Sequence, residues 1–159
     1  MTIVYRLIYI DGCAGVGKSV VARCLSNAFD MFAPNNNPGF PKCIVSAPTG
    51  KAADNIGGMT LHSAYTLLPN QNKKASGRGR SAEEDEEGRL FDSLKPESLA
   101  QLQNQFCDMY GQLIDEISMV SQAQLLAVDE RCQDATDRKG IPFGGLWTIV
   151  FGDFRYVCA

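Results

Sequence analysis

Residues 12–19 read Gly12-Cys13-Ala14-Gly15-Val16-Gly17-Lys18-Ser19, and this stretch decides the fold. It meets every fixed position of the phosphate-loop pattern G-x-x-x-x-G-K-[ST]. Its flanks agree. The apolar run Val4-Tyr5-Arg6-Leu7-Ile8-Tyr9-Ile10 reads as a buried strand, and Val20-Val21-Ala22-Arg23-Cys24-Leu25 reads as the first turns of a helix. Glycines let the backbone wrap phosphate oxygens and turn its N–H groups inward. The helix N-terminus adds partial positive charge. Lys18 is placed to reach the β- and γ-phosphates, and the Ser19 hydroxyl to ligate Mg²⁺. The expected nucleotide-binding set is therefore Gly12, Cys13, Ala14, Gly15, Val16, Gly17, Lys18 and Ser19.

The 159 residues suffice for one domain with a substantial core, and 45% hydrophobic with 21% charged content is ordinary for a globular protein. A net charge of −3 leaves no global basic field, so nucleic-acid binding needs a local groove. The six cysteines, Cys13, Cys24, Cys43, Cys107, Cys132 and Cys158, form no C-x-x-C pair, which argues against zinc. One of them inside the phosphate loop suits a reduced, intracellular protein. No signal peptide and no apolar run of membrane-spanning length is evident.

Strands and helices alternate along the chain. Strands are expected near 4–10, at 42–47, at 112–114 and at 146–151. Helices are expected from Lys18 to about Phe29, from about Gly50, over His62–Leu68, from Pro96, and from about Ser121 to Ala135. Residues 31–41 read as a loop. On the fourth helix Leu99, Leu102, Phe106 and Met109 share a face. This alternation predicts an α/β fold, a parallel sheet with helices on both faces and ligands at the carboxyl ends of the strands. Residues 70–89 read as a disordered surface insertion, basic in the first half (Lys73, Lys74, Arg78, Arg80) and acidic in the second (Glu83 to Glu87). The basic half also suits contact with phosphates.

Leu113-Ile114-Asp115-Glu116 supplies what the phosphate loop lacks. An acid after apolar residues sets a carboxylate at the tip of a buried strand. Asp115 is expected to hold Mg²⁺ and Glu116 to orient and deprotonate the attacking water. With Lys18 they form the expected catalytic set. Gly152-Asp153-Phe154 follows the last strand in the same way. Asp153 there is either a contact to the γ-phosphate region or an ordinary strand-end turn. Trp147, the sole tryptophan, is expected to pack in the core.

Five segments then occur in one order: Ala47-Pro48-Thr49-Gly50-Lys51-Ala52-Ala53; Asn55 to Ser63, ending Thr60-Leu61-His62-Ser63; Ile114-Asp115-Glu116-Ile117-Ser118-Met119-Val120-Ser121; Pro142-Phe143-Gly144-Gly145; and Gly152-Asp153-Phe154. The series resembles the Pif-type DNA helicases of superfamily one, to which RecD-like and Helitron-encoded helicases are related. The resemblance runs from about Leu7 to Phe154. It implies a P-loop NTPase with a RecA-like sheet, hydrolysing ATP with Mg²⁺ to move 5′ to 3′ on single-stranded DNA. It also implies a nuclear or mitochondrial address in a eukaryotic cell. Thr49, Gly50, His62 and Ser63 fall on the family's DNA-facing motifs. Their hydroxyls and backbone N–H groups suit phosphates, and His62 suits stacking on a base. Apart from the resemblance, His62 reads as an ordinary surface histidine; Lys51 suits either an aid to phosphate binding or a solvated helix lysine.

Two departures stand out. Tyr156 occupies the place where the family carries a γ-phosphate-sensing glutamine, preceded here by Arg155. The 159 residues correspond to the first RecA-like domain only. The second, with its arginine fingers, falls outside them, as does the adenine-contacting segment upstream of strand one. An arginine finger contributes about 10³–10⁵ in rate, so nucleotide binding is expected to exceed turnover. The alternative is a non-catalytic ATP- and DNA-binding remnant of such a helicase. An unrelated P-loop small-molecule kinase fits less well, because no second substrate pocket is visible in the sequence.

Overall fold

The computed structural model describes residues 6–32, 42–68 and 94–154. The elements in chain order are β1 (Leu7–Asp11), α1 (Lys18–Phe32), β2 (Cys43–Ala47), α2 (Gly50–Ile56), β3 (Met59–Thr60), α3 (Leu61–Ala64), α4 (Pro96–Phe106), β4 (Gly111–Ile114), α5 (Gln122–Thr136) and β5 (Trp147–Gly152), with 3₁₀ turns at Ile117–Met119 and Pro142–Gly145. The charged stretch 70–89 lies outside the described residues, as do Arg155 and Tyr156.

The five strands form one sheet in the order β1-β5-β4-β2-β3, and every pairing is parallel. Successive side chains on a strand face opposite sides. Leu113, Ile149 and Phe151 accordingly join Ala22 of α1 and Ala53 and Ile56 of α2 in one cluster. Ile114 and Val150 join Leu61, Leu102, Phe106 and Val128, from α3, α4 and α5, on the other side. The expected sheet covered on both faces is therefore what forms. The apolar face expected on α4 forms in part: Leu102 and Phe106 are buried, whereas the helix ends at Phe106 and Met109 packs against the same cluster from beyond it.

The helix starts follow local chemistry. Thr49 caps α2, its hydroxyl accepting from the Ala52 N–H at 3.2 Å, and Gly57 ends that helix in a left-handed conformation, φ 70°. Thr60 caps α3 by accepting from the Ser63 N–H at 3.2 Å. Ser121 and Gln124 form a capping box on α5: the Ser121 hydroxyl accepts from the Gln124 N–H at 3.2 Å, and the Gln124 side-chain Oε1 accepts from the Ser121 N–H at 3.0 Å. Ser121→Ala removes the first of these bonds. It is expected to cost about 1 kcal/mol, read as a lower urea midpoint at unchanged m-value.

Two expectations are corrected. The strand before the phosphate loop reads as buried, yet β1 is an outer strand of the described sheet, with Leu7 56%, Ile8 43% and Tyr9 44% exposed. An apolar run identifies a strand but carries no information on its place in the sheet order. Trp147 opens β5 and is 40% exposed rather than packed in the core. The Arg6 guanidinium carbon lies 5.2 Å from its ring centroid, a cation–π arrangement that suits a half-open indole.

Candidate nucleotide and nucleic-acid site

Because all strands run parallel, their carboxyl ends share one edge, and the sheet order sets the sequence of groups along it. The phosphate loop follows β1. Asp153 follows β5, Asp115 and Glu116 follow β4, Thr49 and Gly50 follow β2, and Thr60 ends β3 ahead of His62 and Ser63. Adjacent strands lie about 4.8 Å apart, so the four steps from β1 to β3 span roughly 19 Å. The nucleotide candidates occupy one end of this edge and the DNA-facing candidates the other.

The loop has the backbone its glycines predict. Gly15 and Gly17 take φ of +84° and +95°, a region L side chains enter only with strain. Lys18 opens α1. Its Nζ donates to the carbonyl oxygens of Gly12 and of Cys13, the latter at 3.2 Å. Those carbonyls hold the ammonium over the loop interior. The Gly12 N–H donates to the Gly152 carbonyl at 3.2 Å, which ties the loop to the end of β5. Ser19, half-buried, follows in the first turn of α1.

Asp115 is buried at the tip of β4. Its backbone N–H donates to the Ser46 carbonyl at 2.9 Å, and its Oδ1 accepts from the Glu116 N–H at 2.9 Å. Glu116 is half-buried and left-handed, φ 52° and ψ 44°. A non-glycine residue pays a steric cost there, and such strain concentrates at functional sites. Directly beyond, Ile117 closes against Gly152, where a Cβ would come within 2.6 Å of its Cγ2. The Gly12–Gly152 and Gly152–Ile117 contacts thus join the phosphate loop, the Asp153 strand end and the Asp115–Glu116 turn into one continuous surface. Asp153 is buried on it.

No group of three or more His, Cys, Asp or Glu that could hold a metal occurs among the described residues. Mg²⁺ in nucleotide sites commonly takes one or two protein oxygens plus phosphates and water. The Ser19 hydroxyl and Asp115 carboxylate are hard oxygen donors of the kind it selects, so the residues present fit the ion.

At the far end, His62 and Ser63 are exposed on α3, and Thr49 and Gly50 are exposed at the start of α2. The cap bonds account for Thr49 and Thr60 structurally. Having accepted at its cap, the Thr49 hydroxyl retains its proton to donate elsewhere.

Sequence reasoning missed a polar cluster behind this edge. Tyr65, Gln112, Thr148 and Cys132 are all fully buried. The Tyr65 hydroxyl donates to Gln112 Oε1 at 2.8 Å, Cys132 Sγ donates to the same oxygen at 3.2 Å, and Gln112 Nε2 donates to Thr148 Oγ1 at 2.8 Å. Burial holds the Tyr65 phenol well above its ordinary pKa, and burial likewise raises the Cys132 thiol, so both are neutral donors. The one sequence signal was a glutamine interrupting an otherwise apolar strand.

A parallel sheet with a phosphate loop after its first strand and an acidic pair at the tip of another defines a P-loop NTPase of the RecA-like class. The sequence profile of the AAA domain family matches residues 1–136, and the chain belongs to that family. The Pif-type resemblance is also borne out. The ATP-dependent DNA helicase PIF1 of Candida albicans is 32% identical over 148 residues, 92% of this chain and 14% of that protein. The Pif1 helicase of Bdellovibrio bacteriovorus is 29% identical over 147 residues, 92% of this chain and 28% of that protein. Among solved structures, Bacteroides Pif1 bound to single-stranded DNA matches with a TM-score of 0.62 at 28% identity, over 93% of this chain and 28% of that one. The Bacteroides Pif1 complex with ADP-AlF3 and single-stranded DNA matches with a TM-score of 0.59 at 29% identity, with the same coverage. The chain therefore spans well under a third of the length of these relatives. No helix among the described residues is long and apolar enough to cross a membrane.

Proposed function

We propose that this chain is the first RecA-like ATPase domain of a Pif-type DNA helicase, one domain over residues 1–159 with the charged stretch 70–89 as an insertion. It binds ATP with Mg²⁺ at one end of the sheet edge and single-stranded DNA at the other, in a motor moving 5′ to 3′. The observation that carries this reading is the order of groups along that edge, with phosphate loop, acidic pair and DNA-facing hydroxyls on successive parallel strands. Phosphoryl transfer asks mainly for positioning and electrostatic stabilisation. The N–H groups of residues 12–19 cradle the phosphates, and Lys18 places its charge on the terminal ones. Ser19 and Asp115 would hold Mg²⁺, which would neutralise developing phosphate charge. Glu116 takes the proton of the attacking water, and Asp153 lines the γ-phosphate region. Thr49, Gly50, His62 and Ser63 contact the DNA backbone and bases. The arginine fingers belong to the second RecA-like domain, which is the partner this reading requires. Bacteroides Pif1 has been solved in complex with ADP-AlF3 and single-stranded DNA, which supports both ligands.

The test is steady-state ATP hydrolysis and nucleotide binding by the 159-residue chain, with and without oligo-dT, against Lys18→Ala. The variant loses charge-assisted contacts to phosphate, each contributing about 1.5–3 kcal/mol, so nucleotide affinity is expected to fall roughly 10- to 100-fold. Unchanged affinity in Lys18→Ala overturns the site. Lys18-dependent binding without turnover favours the non-catalytic reading for the isolated chain.

A further inference from the structure

The buried polar cluster lies between the two ends of the sheet edge. We propose that the hydrogen-bond chain Tyr65–Gln112–Thr148 couples occupancy of the α3 surface by single-stranded DNA to the placement of Asp115 and Glu116, with Tyr65 as a positioning residue. The proposal rests on the function proposed above and names the internal link that function needs.

Three observations carry it. First, Tyr65 is fixed to the DNA-facing turn. It directly follows α3, its N–H donates to the Leu61 carbonyl at 3.1 Å, and its ring packs on Phe106 with centroids 6.2 Å apart. A displacement of His62 and Ser63 therefore carries the phenol with it. Second, Gln112 stands three residues before Asp115 on a strand whose every residue is buried, and the next step is pinned by the Asp115 N–H to Ser46 bond. A shift at Gln112 has no slack to absorb it before Asp115. Third, Thr148 is the register partner of Gln112 on β5, and that strand ends at Gly152, whose carbonyl holds the phosphate loop through Gly12. Both halves of the nucleotide site hang on strands that the cluster joins.

The chemistry makes the link stiff. Tyr65, Gln112 and Thr148 are fully buried, so water cannot replace a broken bond, and an unmet amide or hydroxyl in that environment is costly. Thr148 Oγ1 donates onward to the Leu146 carbonyl at 3.3 Å, which leaves its lone pairs for Gln112. Breaking the Tyr65 bond leaves Gln112 Oε1 with the weaker Cys132 Sγ donor, which favours the made state. This is the kind of discrete element through which two sites bias one another.

The experiment is a titration of the 159-residue chain with a fluorescent ADP analogue and Mg²⁺, with and without saturating oligo-dT. It is run for wild type, Tyr65→Phe and Thr148→Val, with thermal midpoints recorded alongside. Linkage requires that DNA shift nucleotide affinity by the same factor as nucleotide shifts DNA affinity, and that factor is expected to be about fivefold or more in wild type. In Tyr65→Phe each ligand alone should bind within about twofold of wild type while the linkage factor falls below about twofold. Thr148→Val should lower the factor too, and it decides the matter if Tyr65→Phe does not fold. A role confined to stability moves the midpoint and leaves the factor unchanged, which overturns the proposal. Wild type binding both ligands with no linkage also overturns it. Loss of Lys18-dependent nucleotide binding in wild type is a different failure. It removes the function proposed above, and this coupling with it.

Discussion

Glu116→Gln is expected to bind ATP and Mg²⁺ as wild type does while hydrolysis falls by about 10²–10⁴, the usual contribution of a general base. The substitution keeps the length of the side chain, its acceptor oxygen and its tolerance of the backbone at φ 52°, so the turn after β4 has no reason to move. It removes only the capacity to take a proton. In the proposed site binding is assigned elsewhere, to the Gly12–Ser19 loop and the Lys18 ammonium, which donates to the Gly12 and Cys13 carbonyls. The measurement is phosphate release under single-turnover conditions with oligo-dT present, paired with a nucleotide titration of the same preparation. Equal loss of binding and turnover argues that Glu116 shapes the site instead of acting on water. Asp115→Asn gives the contrast. Asp115 is buried, and its Oδ1 accepts from the Glu116 N–H, so its loss should lower Mg²⁺-dependent affinity as well as rate.

The phosphate loop and the acidic pair were legible because each is local. A turn that cradles phosphate needs glycines, a lysine and a hydroxyl at fixed spacing, and an acid at a strand tip needs only the apolar run before it. Their convergence on one edge followed from the alternation of strands and helices, which forces the sheet to be parallel. The order of strands within the sheet did not follow. Val4–Ile10 looks as apolar as Leu146–Phe151, yet β1 is an outer strand of the described sheet and β5 is internal. Trp147 was misplaced for a related reason, since hydropathy does not register that a strand's first residue stands at the rim, where Arg6 covers one face. The Tyr65–Gln112–Thr148 chain was invisible because it is assembled from a loop and two strands separated by up to 83 positions, counting from Tyr65 to Thr148. No window along the sequence contains it. His62 and Ser63 stand at a third level: the residues alone gave His62 as a surface histidine, and only the ordered motifs pointed toward DNA.

Pro142-Phe143-Gly144-Gly145 belongs to that third level, and its physical reason emerges only in three dimensions. The segment makes the turn between α5 and β5, with Phe143, Gly144 and Gly145 at φ of 50°, 60° and 78°. It is held against the end of α5: the Phe143 N–H donates to Asp129 Oδ1, and the Thr136 hydroxyl donates to the Cys132 carbonyl at 2.8 Å while lying 3.3 Å from the Gly144 carbonyl. A Cβ on Gly144 would stand 2.1 Å from Thr136 Oγ1 and 2.5 Å from the Cys132 carbonyl oxygen. One obstacle is helix backbone and cannot rotate away. Gly144→Ala therefore combines left-handed strain of about 1–2 kcal/mol with a clash relieved only by separating the turn from α5. A total loss of about 4 kcal/mol is expected, in the range reserved for core disruption. Gly140→Ala separates the two causes. Gly140 has φ 74° but open space around its Cβ position, so it should lose only the strain, about 1–2 kcal/mol. Urea unfolding of both variants reads the difference directly. Equal losses mean that the turn yields freely and that the close approach to Cys132 does not hold β5 in register. A clearly larger loss for Gly144→Ala than for Gly140→Ala means that Gly144 is kept by packing, and that the turn fixes where β5, and Asp153 at its end, enters the sheet edge.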